Sequence, residues 1–271
     1  MEITKIKLSE HYDINSNAYV EIVRPTAILD RGDLNKLPAL VICPGGGYFM
    51  VSKREGEPVA LEFLARGYVT MILTYSTTSN EENSRYPMQI EELMAAVDYL
   101  TRNAESYAVD PDRIFLIGFS AGAHLACNLG AHYHRYLDRY NINIKGICLA
   151  YPVISSELGI SGNTYNNLLR GYDGEERERL LQDLSFNRAD LTHFPPAFVW
   201  TTSTDEIVPP VNAISFVENL LRYGKKCEFH LYPKGPHGLS TCSELINEPI
   251  PELNQVSSWI DLCNQFFMSL H

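Results

Sequence analysis

The sequence lacks any apolar run long enough to cross a bilayer, and its N-terminus lacks the continuous apolar stretch of a secretory signal. It also lacks clusters of lysine and arginine, and its formal net charge is −11. Such a chain repels nucleic-acid phosphates and anionic membrane surfaces, because nothing local offsets its negative charge. We therefore expect a cytoplasmic protein that acts on a small molecule, with neither nucleic acid nor membrane as a partner.

Cysteine is also sparse, with six residues in 271, spaced far apart. Cys43, Cys148 and Cys227 lie inside apolar, strand-like runs, which favours buried reduced thiols over a disulfide framework. No cofactor motif is recognisable. His132 and His134 are two residues apart and would face different directions on a helix, so they make a poor metal pair. We therefore predict neither a cofactor nor a metal.

Strand-like and helix-like segments alternate along most of the chain. Continuous apolar runs typical of strands buried on both faces lie at 37–43, 68–75, 114–117, 146–153, 197–202 and 227–232. Apolar residues recur at helical spacing between them. This alternation predicts an α/β fold with a mostly parallel central sheet and helices on both faces, built from residues 1–271 as one domain. The sequence does not reveal the oligomeric state, and it is compatible with a homo-oligomer.

The alternation lapses between residues 155 and 196, where the sequence is polar and mixed. A compact domain seldom carries so long a departure without a function, so we predict a cap or insertion over the active site. A surface segment that never meets substrate is the alternative. Tyr165, Leu168 and Leu169 are the residues of this segment that we expect to line an acyl pocket.

The five residues Gly118-Phe119-Ser120-Ala121-Gly122 match the pattern G-x-S-x-G. A strand-like run precedes them and a helix-compatible segment follows, which is the context of a nucleophile elbow. Glycines flank the serine because the sharp turn leaves no room for side chains at those positions. The pattern therefore predicts that the Ser120 hydroxyl is exposed in a pocket near a helix N-terminus.

Three glycines, at positions 45 to 47, end the apolar run 37–43. Consecutive glycines allow backbone N–H groups to approach a carbonyl oxygen unhindered, as an oxyanion hole requires. A flexible turn or a helix-capping loop is the structural alternative. A phosphate cradle is disfavoured because no G-x-x-x-x-G-K-[ST] pattern follows.

Two further residues follow the ends of later strands. Asp205 comes just after the run 197–202, and His237 lies in a Gly/Pro loop after the last strand. A serine nucleophile needs a base, and that base needs an acceptor that fixes its tautomer. The chain order serine, aspartate, histidine is the one found in α/β-hydrolases. A purely surface role for Asp205 is the alternative. The neighbouring Glu206 is the other candidate for the acid, and we choose Asp205 because it comes first after the strand.

The chain resembles small esterases of the α/β-hydrolase fold, in particular the acetylxylan-esterase-like group associated with xylanases. The similarity lies in Cys43–Tyr48, Arg54–Pro58, Gly118–Leu125, Asp205–Pro209 and Gly235–Leu239. It implies that Ser120 is the nucleophile, His237 the base and Asp205 the residue that orients it, with oxyanion donors at the N–H groups of Gly46, Gly47 and Ala121. Pro44 departs from those relatives that begin the glycine loop with histidine, and it leaves the later donors in place.

This resemblance implies a serine carboxylester hydrolase acting on short-chain, acetyl-type esters, including acetylated carbohydrates. Its expected partner is a small-molecule ester. An amidase of the arylformamidase type is an alternative, since residues 120–125 also suit that group. A noncatalytic binding module on the same fold is a second, because fold does not fix function. A peptidase of the prolyl-oligopeptidase type is disfavoured because no propeller-sized region is present.

Overall fold

A computed structural model describes residues 1–26, 36–244 and 246–270. Within these ranges no helix has the length and apolar character needed to cross a membrane. The central feature of the described residues is a sheet of eight strands in the order β1-β2-β4-β3-β5-β6-β7-β8. The first two strands are antiparallel additions at one edge, and β3 to β8 run parallel to one another.

Each apolar run of the sequence overlaps one of the strands β3 to β8, and β1 and β2 precede them. The strands are β1 (Glu2–Lys7), β2 (Tyr19–Arg24), β3 (Leu37–Cys43), β4 (Val69–Thr74), β5 (Val109–Phe119), β6 (Gly146–Ala150), β7 (Ala197–Thr202) and β8 (Cys227–Tyr232). The α-helices are α1 (Glu57–Ala65), α2 (Met88–Arg102), α3 (Ala121–His132), α4 (Thr164–Leu168), α5 (Gly174–Asp183), α6 (Val211–Arg222), α7 (Leu253–Val256) and α8 (Trp259–Met268). The predicted mostly parallel α/β architecture is confirmed.

Two core layers lie on opposite faces of the sheet, because successive strand side chains point in opposite directions. In β5, Ile114 and Leu116 pack with the layer that contains residues of α2, α3 and α6. Phe115 and Ile117 pack with the layer formed by α1, α7 and α8. A strand with an apolar layer on each side must be apolar throughout, which explains the unbroken runs in the sequence.

The start of β5 is irregular. The sequence Asp-Pro-Asp-Arg at residues 110–113 is typical of a turn, whereas β5 already starts at Val109. The register shows why both descriptions hold: Leu37 of β3 faces Val109, but Ala39 faces Ile114. Residues 110–113 therefore bulge out of the ladder, where Asp110 accepts the N–H of Asp112.

The segment 155–196 contains α4, α5 and a short 3₁₀ turn at Phe186–Arg188. The expectation for Tyr165, Leu168 and Leu169 is wrong, because these side chains are buried within the core layer beneath the segment. The segment anchors itself with its large apolar residues and leaves smaller polar ones to face outward. Its role as a cap, and the assignment of residues 1–271 to one domain, stay predictions.

Trp259 connects α8 to the sheet and to the loop beyond β8. Its ring stacks on Trp200 with centroids 5.3 Å apart, and its indole N–H donates to the Ser240 carbonyl at 2.9 Å. We expect Trp259→Phe to lower the free energy of unfolding by about 1–3 kcal/mol, because a buried carbonyl loses its indole donor. Urea denaturation measures this loss.

Tyr223→Phe is the matched control for this experiment, since Tyr223 is 41% exposed. We expect this variant to stay within about 0.5 kcal/mol of the parent protein. Equal urea midpoints for Trp259→Phe and the parent protein would contradict the role assigned to the indole.

Candidate active site

Ser120 lies at the turn between β5 and α3. Its backbone has φ 53° and ψ −115°, a sparsely populated conformation that costs about 1–3 kcal/mol in a residue other than glycine. The two flanking glycines explain how the turn is packed. A Cβ on Gly118 would lie 2.4 Å from the Gly122 carbonyl oxygen, and a Cβ on Gly122 would lie 2.0 Å from the Cys43 oxygen. The predicted elbow geometry is therefore present.

The structure brings Ser120, His237 and Asp205 together in a chain of hydrogen bonds. The Nε2 atom of His237 lies 2.8 Å from the Ser120 Oγ. Its Nδ1 atom lies 2.6 Å from the Oδ2 of Asp205. A carboxylate can only accept, so Nδ1 carries the proton and Nε2 is left to accept from the serine hydroxyl.

Backbone groups hold Asp205 in place. Its Oδ1 accepts the N–H groups of Ile207 and Val208 at 3.0 and 2.9 Å, which leaves Oδ2 for His237. The side chain of Asp205 is 1% exposed, whereas the neighbouring Glu206 is exposed to solvent. The structure therefore places Asp205, and not Glu206, against His237.

The glycine loop after β3 passes close to the elbow. Gly46 and Gly47 have φ values of 120° and 62°, which favour glycine, and a Cβ on Gly46 would lie 2.1 Å from the Met50 carbonyl oxygen. The carbonyl of Gly45 accepts from Ser52, and that of Gly46 accepts from the N–H groups of Phe49 and Met50. These bonds fix the planes of the peptides whose N–H groups belong to Gly46 and Gly47.

The N–H groups of Gly46, Gly47 and Ala121 donate to no acceptor within residues 1–26, 36–244 and 246–270. Gly46 and Gly47 line a cleft of about 630 Å³ together with Ser120 and His237. Ala121 is the first residue of α3, where a backbone N–H has no partner within the helix. Backbone donors that line a cleft, as those of Gly46 and Gly47 do, are available to a ligand oxygen.

The segment 155–196 supplies one side of this cleft through Asn163, Thr164 and Asn167. Asn167, on α4, donates from its side-chain amide to the Gly47 carbonyl at 2.8 Å. The sequence did not identify this contact, because 120 residues separate the two groups and nothing local in the polar segment distinguishes Asn167.

His124 connects three elements behind the elbow. It is fully buried on α3, and its Nε2 lies 2.9 Å from the Leu184 carbonyl oxygen, to which it donates. Its Nδ1 then accepts from the hydroxyl of Tyr48, which lies 2.9 Å away at the end of the glycine loop. Burial lowers the pKa of His124 to about 4, so the ring is neutral at physiological pH.

Glu55 also lines the cleft, although its side chain is almost completely buried. Sequence reasoning assigned it no role, even though it lies in the run Arg54–Pro58 that carries part of the family resemblance. A glutamate within a short stretch of charged residues looks like a solvated surface position.

Over the described ranges, no three histidine, cysteine, aspartate or glutamate side chains group together to hold a metal ion.

Comparison with known proteins identifies relatives of this chain. The protein-family model BD-FAE matches residues 28–220. Endo-1,4-beta-xylanase B of Butyrivibrio fibrisolvens is 30% identical over 226 residues, which are 80% of this chain and 35% of that protein. An acetylxylan esterase of Xylanibacter ruminicola is 26% identical over 203 residues, 74% of this chain and 40% of that protein. The chain thus spans well under half the length of these two relatives.

A carboxylesterase from Lactobacillus plantarum WCFS1 is similar in structure. Its crystal structure superposes with a TM-score of 0.86 at 28% identity, covering 99% of this chain and 97% of the other. Together with the strand order, this similarity confirms the α/β-hydrolase fold that the sequence predicts.

The neutral His124 makes stability sensitive to acid. Its pKa is about 4 in the folded protein and 6.5 without burial, so below about pH 6.5 the unfolded chain binds the proton more readily. We expect the free energy of unfolding to fall between about pH 6.5 and about pH 4, with His124 contributing up to about 3 kcal/mol to the loss. Above that window its contribution is constant.

His124→Phe removes this titration, so we expect its unfolding free energy to depend less on pH. Urea denaturation at about pH 7.5 and about pH 5 gives the comparison. Two other buried groups titrate in this range in both proteins with opposite effects on stability, because burial also lowers the pKa of His132 to about 4 and raises that of Glu92 to about 7. Identical losses of stability in the two proteins would show that His124 does not carry the effect.

Proposed function

The chain belongs to the BD-FAE family, and on that premise we propose that it is a serine esterase that hydrolyses short-chain, acetyl-type esters. The observation that carries this proposal is the hydrogen-bond chain from Ser120 through His237 to Asp205, which opens into a cleft with unengaged backbone donors. A serine hydroxyl is a weak nucleophile unless a positioned base takes its proton.

In the proposed first step, the Ser120 oxygen attacks the ester carbonyl carbon while its proton moves to His237 Nε2. Asp205 stabilises the imidazolium through the bond to Nδ1. Its second oxygen is already held by two backbone N–H groups, so the carboxylate cannot rotate freely. The histidine therefore keeps the orientation that proton transfer requires.

Negative charge develops on the carbonyl oxygen as the tetrahedral intermediate forms. In our proposal the N–H groups of Gly46, Gly47 and Ala121 hold this oxygen, and losing one such donor typically costs about 3 kcal/mol of transition-state stabilisation. The proton on His237 then passes to the departing alcohol, leaving an acyl group on Ser120. Water, activated by the same histidine, releases the acid and restores the free serine.

Two kinds of observation favour an acetyl ester of a carbohydrate as the substrate class. The cleft carries small polar side chains, Ser161, Asn163 and Thr164, and the exposed apolar side chains of Phe49 and Ile207. Such a mixture suits a polyol portion with both hydroxyl groups and apolar ring faces. One relative is an acetylxylan esterase, and we extend that substrate class to this chain as part of the proposal.

Ser120→Ala tests the nucleophile. We expect at least about a 10³-fold loss of kcat toward an activated acetyl ester, because the remaining groups cannot form an acyl-enzyme. Far-ultraviolet circular dichroism should be unchanged. A fluorophosphonate probe should label the parent protein at Ser120 and leave the variant unlabelled.

Substantial turnover by the alanine variant would contradict the proposed mechanism. A folded parent protein that neither hydrolyses esters nor reacts with the probe would instead favour the noncatalytic module. Comparing an acetyl ester with an N-formyl aryl amide separates esterase from arylformamidase chemistry, and we expect faster turnover of the ester. Acetylated sugars and longer acyl esters, assayed with the same preparation, define the alcohol and the acyl length.

A further inference from the structure

A short 3₁₀ turn at Lys53–Glu55 lies between the glycine loop and the loop that carries His237. Glu55, its last residue, is a carboxylate that is only 4% exposed, and the chemistry described above does not use it. A buried carboxylate is costly unless hydrogen bonds compensate for its lost hydration. The partners of Glu55 therefore indicate what it does.

One oxygen of Glu55 holds the glycine loop. Its Oε2 accepts the N–H of Gly45 at 2.7 Å, and a Cβ on Gly45 would lie only 2.8 Å from that oxygen. The next two N–H groups along the chain, those of Gly46 and Gly47, are the proposed oxyanion donors. Glu55 therefore fixes the loop at the peptide immediately before these donors.

The other oxygen of Glu55 reaches the histidine side of the site. The Tyr151 hydroxyl donates to Oε1 at 2.7 Å and accepts the backbone N–H of Ser240 at 3.0 Å. The Tyr151 ring packs edge-on against the His237 imidazole, with centroids 4.9 Å apart. Arg54, next to Glu55, strengthens this link, since its carbonyl accepts the Ser240 hydroxyl at 2.5 Å.

Gly45, Glu55, Tyr151 and Ser240 form a hydrogen-bonded bridge whose donors converge on Glu55 from two sides. The Ser240 N–H donates to Tyr151, Tyr151 donates to Glu55, and the Gly45 N–H donates to Glu55 from the other side. Burial raises the pKa of Tyr151 well above its usual value, and the nearby Glu55 raises it further, so the hydroxyl keeps its proton. A side chain in the position of Glu55 must accept two hydrogen bonds from two different directions, which a carboxylate can do.

We propose that Glu55 is a positioning residue that holds the oxyanion loop and His237 at a fixed separation through Gly45 and Tyr151. The proposal rests on the proposed esterase function. It extends that function because the loop and the histidine must act on the same intermediate, one on its oxygen and the other on its departing alcohol. A shift of about 1 Å between such groups can cost about 10²-fold in rate.

Glu55→Gln tests the bridge with little change of shape. The amide oxygen can still accept from Gly45, but the NH₂ group then faces Tyr151, whose proton loses its acceptor. We expect kcat toward an activated acetyl ester to fall by about 10- to 100-fold, with KM within about threefold of the parent value.

Tyr151→Phe breaks the histidine side alone and keeps the Gly45 bond, so it tests the proposal if Glu55→Gln does not fold. We expect the double variant to lose little more than either single variant, because both changes break the same link.

Asp98→Asn is the matched control. Asp98 is a fully buried carboxylate on α2 that also joins a backbone N–H, from Asn141 at 2.6 Å, to a tyrosine hydroxyl, from Tyr12 at 2.6 Å. Unlike Glu55, it does not line the catalytic cleft. We expect Asp98→Asn to lower the melting temperature while kcat stays within about twofold, since only stability depends on its bonds.

Proton nuclear magnetic resonance supplies a readout that does not depend on turnover. The Nδ1 proton that His237 donates to Asp205 in their short hydrogen bond resonates far downfield, and its chemical shift reports the orientation of the imidazole. We expect Glu55→Gln and Tyr151→Phe to shift or broaden this signal and Asp98→Asn to leave it unchanged. An unchanged signal with unchanged kcat in both bridge variants would overturn the proposal. The proposal would also be overturned if kcat fell in proportion to the decrease in melting temperature in the bridge variants and in Asp98→Asn alike.

The same set of proteins separates the two proposals. A parent protein that fails to hydrolyse esters and whose Ser120 is not labelled contradicts the esterase function. The downfield signal of His237 still shows whether Glu55 sets its position. Conversely, the parent protein could hydrolyse esters while the bridge variants behave like Asp98→Asn. That outcome would support the esterase function and contradict the positioning role of Glu55.

Discussion

The close crossing of two backbone segments is the constraint on which the site depends. The elbow at Ser120 and the end of β3 approach so closely that a single Cβ on Gly122 would lie 2.0 Å from the carbonyl oxygen of Cys43. This contact sets the distance between the serine hydroxyl and the glycine loop that continues from β3. Tight packing of this kind is not continuously adjustable, because atoms in protein interiors have almost no free space. Small side chains at this crossing are therefore a geometric requirement of the site.

The parallel sheet provides the second level of organisation. Gly118 of β5 pairs with Cys43 of β3 on one side and Leu149 of β6 on the other, so the ends of these strands coincide at one edge. Loops that follow adjacent strands then meet above that edge, which is where open α/β sheets bind ligands. Ser120, Asp205 and His237 are far apart in sequence, and the register of β5, β7 and β8 is what brings them within hydrogen-bond distance.

The elements that could be predicted from the sequence are those with a local signal. Strands buried on both faces appear as unbroken apolar runs, and the crowded turn at Ser120 requires its flanking glycines. Glu55 and Asn167 have no comparable signal, because each acts through a partner that is distant in sequence. Glu55 lies within a charged stretch and is buried only because the glycine loop and Tyr151 converge on it. Tyr165 was misassigned because an aromatic side chain in a polar segment suits a ligand pocket as well as a core anchor.

If the proposed esterase function holds, the hydrogen bond from Asn167 to the carbonyl of Gly47 has a consequence for substrate selectivity. It ties the rim of the cleft to the loop that carries the proposed oxyanion donors. An acyl or alcohol group too bulky for the cleft would push α4 outward and strain that hydrogen bond. The cost of poor fit would then fall on the reaction barrier as well as on binding, so that an ill-fitting ester would be turned over slowly even when it is bound. Selectivity of this kind depends on mechanical coupling and needs no side chain that recognises the substrate directly.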